Sequence, residues 1–210
     1  ISPVQAAGIL LPILIAMDMF ALIAYRRVYD VANLKILIPA ALVGIAIGWL
    51  TAAYISESNV RLIVGLVSLG FVVDYWIGRR AVHSTGPSTS KGGFWGAVAG
   101  FTSFVCHAGG PPLQMYLVPQ RLEPRLFAGT SVIFFTVVNA VKVIPYAALG
   151  QLGTDNLMTS LVLAPIAPFA TFAGAWLVKA VKPKLFYQLT YFFIFVVSLK
   201  LIWDGVEHLF

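Results

Sequence analysis

Charge is what this sequence has least of. Only 10% of its 210 residues are Asp, Glu, Lys or Arg, where a soluble domain carries about 25%. With 60% of the residues hydrophobic, too little polar surface exists to coat a water-soluble globule. A single cysteine, Cys106, excludes an intrachain disulfide. No stretch alternates apolar and polar residues over about ten positions, which excludes a transmembrane barrel. There is no HExxH pair and no Cys–His pair with an orienting acid nearby, so a membrane-embedded enzyme lacks its machinery. No cofactor or metal ligand set is expected. The net charge of +6 does not point to nucleic acid, because the basic residues sit in short connections between apolar runs.

Those runs are what the sequence is made of. They cover about 3–25, 34–55, 60–78, 93–119, 125–149, 156–178 and 185–203, each near the roughly 20 residues that cross a hydrocarbon core. Backbone groups in lipid must be bonded internally, so the runs are helices. The fold expected is an all-α integral membrane protein. The longest polar stretch, 79–92, contains Arg79, Arg80 and His83 and reads as a linker. Connections 26–35, 79–91, 120–125 and 179–184 hold eleven basic residues; 56–61, 150–155 and 204–210 hold only Arg61. The first set is therefore expected in the cytoplasm and the C-terminus outside. Two basic connections, 79–91 and 120–125, flank 93–119, so that segment must enter and leave on one side. Its middle, Cys106-His107-Ala108-Gly109-Gly110-Pro111-Pro112, cannot continue a regular helix. We read 93–119 as a re-entrant hairpin of two half-helices, giving six spanning helices plus the hairpin.

The chain also repeats. Pro3 and Gly8 match Pro124 and Gly129 in spacing, Asp18 matches Asn139, Tyr25 matches Tyr146, Gly48 matches Gly174, and Trp76 matches Trp203. Residues 1–78 form a first repeat, 79–92 a cytoplasmic linker, and 93–210 a second repeat with the hairpin at its head. The linker switches sides, so the copies are expected to run in opposite directions, a recurrent plan in secondary transporters. The first copy has no hairpin, and the chain opens without Met on Ile1-Ser2-Pro3. A matching N-terminal hairpin is expected ahead of it.

Candidate functional residues gather at the break. A half-helix N-terminus offers N–H donors and a positive dipole end, and glycines let an anion approach that backbone. Gly109, Gly110 and Pro111 present this pattern, flanked by Cys106, His107 and Gln114; the alternative is a packing kink between helices. His107 can shuttle a proton or be a satisfied polar group. Cys106 also reads as an inert buried thiol. Asp18 and Lys142 lie inside spans, where charge is costly and faces a bundle interior or cavity. Lys142 can attract an anion. Asp18 can carry a coupling proton or form a structural polar pair. Thr130, Ser131 and Asn139 offer uncharged donors, and Thr102 and Ser103 either donate or cap local backbone.

Several phrases resemble the TauE/SafE sulfite-exporter family of membrane permeases. They are Gly96-Ala97-Val98-Ala99-Gly100-Phe101, Gly109-Gly110-Pro111-Pro112-Leu113, Tyr116-Leu117, Arg125-Leu126-Phe127-Ala128-Gly129-Thr130 and, in the first copy, Pro3-Val4-Gln5-Ala6-Ala7-Gly8. The family's first glycine-rich motif is absent, and His107 stands where a small apolar residue is expected. The resemblance covers essentially the whole chain as two four-segment repeats. It implies export of a small sulfur oxyanion or organosulfonate across the bacterial inner membrane, with a small anion and the bilayer as partners and a homo-oligomer as an open possibility. Two rivals are an anion channel or permease for another small organic anion, and an embedded enzyme.

Overall fold

A computed structural model describes residues 3–77 and 86–207. Arg79, Arg80 and His83 of the linker lie outside the described residues. Among the described residues nine α-helices run in order: α1 (Pro3–Tyr25), α2 (Val31–Thr51), α3 (Glu57–Trp76), α4 (Thr89–Cys106), α5 (Gly110–Leu117), α6 (Pro124–Ala148), α7 (Thr154–Leu163), α8 (Ile166–Ala180) and α9 (Pro183–Glu207). No strand occurs among the described residues. Helices α1, α2, α3, α6 and α9 are long and apolar enough to cross a membrane, and α7 with α8 makes a sixth if the pair is one crossing.

That pair departs from expectation. The run 156–178 is not one straight helix, because the chain bends by 49° between α7 and α8. Pro165 and Pro168 lack N–H groups, so the carbonyls of Leu161 and Ala164 lose their helical partners. Ala167 N–H donates instead to Ala164 O at 3.0 Å, a tighter i−3 turn.

The segment after the linker folds back on itself. Ser88 N–H donates to the Tyr116 hydroxyl (3.2 Å), which lies 3.5 Å from Ser88 O. The start of α4 thus meets the end of α5. The two arms are unequal: α4 has 18 residues, about 27 Å at 1.5 Å per residue, and α5 has 8, about 12 Å.

The helices gather into two compact units. One contains α1, the first turn of α2, and α6, α7 and α8, with α1 packed on each of the other three long elements. Helices α1 and α6 are antiparallel, and their contacts are reciprocal. A Cβ on Gly8 would lie 2.3 Å from Gln151 O, just past α6, and one on Gly129 would lie 1.7 Å from Val28 O, just past α1. Each helix start is pressed against the carbonyl that follows the other helix, and only hydrogen fits there. The turn after α1 is pinned by Thr130, whose Oγ1 accepts from Asp30 N–H (2.9 Å). Asp30 Oδ1 in turn accepts from Asn33 N–H (2.8 Å) and caps α2. At the far end, Gly150 takes φ +68. Gln151 N–H then reaches Tyr146 O and Gly150 N–H reaches Ala147 O, both at 3.0 Å, the paired bonds of a Schellman cap.

The other unit contains the rest of α2, with α3, α4, α5 and α9. Helices α3 and α9 are also antiparallel: the Gly205 Cα sits against Leu62 and Ser58, while Tyr75 stacks on Tyr191 at 3.6 Å. Helices α2 and α4 touch backbone to backbone. A Cβ on Gly44 would be 2.0 Å from Ala97 O, and one on Gly100 would be 2.1 Å from Ala41 O.

Candidate functional site

The break between α4 and α5 is built from three devices. Helix α4 ends where His107 turns into the left-handed region, φ +53. Thr102 braces that turn: its carbonyl accepts from His107 N–H and Ala108 N–H (the latter 3.2 Å), and its hydroxyl is 3.1 Å from Ala108 O. Pro111 and Pro112 then start α5 with the right φ but without N–H groups. The helix therefore offers donors at its head only from Gly109 and Gly110, a smaller set than a proline-free start would have. Nothing lies within 4 Å of where a Gly110 Cβ would be, so open space adjoins that residue. Gln114 and His107 are half-buried beside it in sequence.

Cys106 points elsewhere. It is buried in an apolar cluster with Val60, Val64, Ala108 and Leu201, and its thiol donates to Thr102 O (3.4 Å).

The remaining sequence-marked residues belong to the unit built around α1. Asn139 Nδ2 donates to Asp18 Oδ2 at 2.8 Å. Lys142, one turn further along α6, is 0% exposed and acts electrostatically on the same carboxylate. These three residues form one polar cluster between α1 and α6. Asp18 and Asn139 are also the residues that share an offset in the two sequence repeats. Thr130 and Ser131 are not part of it. The Thr130 hydroxyl is committed to Leu126 O (2.7 Å) and Asp30 N–H, and Ser131 donates to Phe127 O (3.0 Å).

Sequence reasoning left Thr102 open between donor and cap; the structure gives it the bracing role. It missed the Ser88–Tyr116 clasp, whose only signal was a tyrosine at the expected foot of the hairpin.

The sequence model of one family, Sulfite exporter TauE/SafE, matches residues 1–201. The chain belongs to the TauE/SafE sulfite exporter family. No curated protein and no solved structure matches it. As a TauE/SafE protein it is a multi-pass membrane permease for small sulfur-containing anions and not an enzyme. Its substrate is an anion, and its other partner is the bilayer.

Proposed function

We propose that this TauE/SafE chain is a secondary transporter that exports a sulfite-, thiosulfate- or sulfonate-type anion across the bacterial inner membrane by alternating access. The observation that carries the binding mode is the head of α5. Two glycines there supply N–H donors at the positive end of a helix, and open space adjoins Gly110. An oxyanion takes such donors without a charged side chain, which keeps binding weak enough to release the cargo. His107 and Gln114 supply side-chain donors and Pro111 forms the wall, while Cys106, turned into its apolar cluster, takes no part.

The reading assigns a second task to Asp18, Asn139 and Lys142. A buried lysine beside a carboxylate draws anions, and the carboxylate takes up and gives back a proton. Inverted repeats and a re-entrant hairpin belong to the same reading. What supports them is that equivalent helices, α1 with α6 and α3 with α9, pair antiparallel, and that the feet of α4 and α5 meet. The basic connections 26–35, 79–91, 120–125 and 179–184 then face the cytoplasm and the C-terminus the outside.

Gly110→Ala tests the site. Its Cβ meets open space, so the fold is unchanged, yet a methyl stands where the anion would approach the backbone. In proteoliposomes loaded with sulfite, thiosulfate, sulfoacetate or taurine, wild type should show saturable counterflow. The variant should lose about tenfold in apparent affinity, the effect of roughly 1.4 kcal/mol, with an unaltered melting temperature. Full activity in Gly110→Ala removes the α5 head from the site. No counterflow with any of the four anions, in folded protein, overturns the transport reading.

A further inference from the structure

At the opposite end of α5 from the break, the chain continues through a short 3₁₀ turn, Val118–Gln120, to Arg121. Arg121 adopts φ +53, an uncommon conformation for a residue other than glycine. Its guanidinium lies 4.7 Å from the Tyr187 ring centroid and 5.6 and 5.9 Å from those of Tyr75 and Tyr191. Its Nη2 donates to the Tyr75 hydroxyl at 3.2 Å. Tyr187 is fixed as well, donating its hydroxyl to Leu122 O at 2.5 Å. Three rings thus hold one cation in place at the end of the unit where α3 finishes and α9 starts.

This cation lines an open cavity of about 670 Å³. Lys184 and Gln188 of α9 stand on its wall with Tyr75 and Tyr187, and Glu123 contributes the one carboxylate. The lining carries two positive charges against one negative. An arginine whose ring contacts fix its plane presents its fork with little entropy left to lose, and that fork matches phosphate geometry. Cavities of 300–1,000 Å³ take organic ligands of drug size, so this volume is generous for a bare inorganic ion and suits a phosphate carrying an ester. Its place at the ends of apolar helices, among basic connections, is where lipid headgroups lie.

We propose that this cavity is a second anion site, separate from the α5 head, that binds a phosphate group through Arg121 and Lys184. The phosphate is that of an anionic phospholipid headgroup or a free phosphate ion. The full chain in nanodiscs of phosphatidylcholine, with or without phosphatidylglycerol, tests the first source by native mass spectrometry of retained lipid. Calorimetric titration with inorganic phosphate, in detergent free of phospholipid, tests the second.

Lys184→Gln, at an exposed position on the wall, should weaken binding about fivefold and Arg121→Gln about tenfold. Glu123→Gln should strengthen it two- to threefold, a gain that a merely structural cluster would not give. Loss in the nanodisc experiment alone identifies a lipid, and loss in the titration alone identifies a soluble phosphate. Either supports the site. Binding in both experiments that ignores Lys184→Gln and Glu123→Gln, or absence of binding by wild type in both, overturns it. Gly110→Ala should leave both measurements unchanged, so this site and the α5 head fail independently.

Discussion

Gly100→Ala should remove most folded protein from detergent extracts, whereas Gly93→Ala, on the same helix, should not. Both changes add one methyl and both raise helix propensity by up to about 1 kcal/mol. They differ in what the methyl meets. At Gly93 nothing lies within 4 Å; at Gly100 the carbonyl oxygen of Ala41 would be 2.1 Å away, far inside van der Waals contact. The neighbour is backbone and cannot rotate aside, so α2 and α4 must separate. Separation also disturbs the matching approach of Gly44 to Ala97. In lipid no hydrophobic force pulls two apolar helices together, and close packing is the main term that does. Overpacking a well-filled site costs about 1–3 kcal/mol even where side chains can yield. Monodisperse protein on fluorescence-detected size exclusion should fall roughly tenfold for Gly100→Ala. Equal recovery of the two variants would show that the α2–α4 seam is loose.

Lys142→Met should abolish transport, and its cause can be separated from folding. Lys142 is fully buried beside Asp18. Removing Lys142 takes away the cation that acts on the half-buried Asp18 carboxylate and leaves that charge with only Asn139 beside it. The single variant is therefore expected to be unstable as well as inactive. Adding Asp18→Asn removes the orphaned charge while keeping a hydrogen-bonding partner for Asn139. The double variant should recover its melting temperature to near wild type and still give no counterflow. If the double variant transports normally, the three residues are a structural polar pair with a helper, and neither anion attraction nor proton coupling rests on them.

The spans were legible because their grammar is coarse. Apolar runs ended by Arg26-Arg27, by Ser56 or by Gly150 placed helix ends within a few residues of those observed. The Gly-Gly-Pro-Pro run announced the break between α4 and α5. The bend at Ala164-Pro165 was hidden although Pro165 and Pro168 stood in plain view, because apolar length alone was read across 156–178. The meeting of Asp18 with Asn139 was half visible: the repeat gave them one offset, but no pattern along one strand of sequence says that equivalent positions touch. Arg121 shows the limit from the other side. It counted only as one charge in a basic connection, since its value depends on three tyrosines, one from α3 and two from α9, that the sequence scatters over more than a hundred residues. Thr130 looked like an available donor for the same kind of reason; its hydroxyl is engaged by a turn one hundred residues earlier.

The compact units interleave along the chain: α1 finds its main partners in α6, α7 and α8, and α3 finds its main one in α9. Synthesis is vectorial, so this arrangement fixes a schedule. From the end of α1 to the start of α6 the ribosome must add about a hundred residues, on the order of 5–20 s at 5–20 residues per second. Throughout that interval α1 stands in the insertion machinery or the lipid with Asp18 and no Asn139 or Lys142 to meet it. A carboxylate at the centre of a lone inserted helix costs about 2.5–3.5 kcal/mol, so nascent α1 is poorly anchored. Its twenty-odd apolar neighbours and the Arg26-Arg27 pair must hold it in place until the second half of the chain arrives.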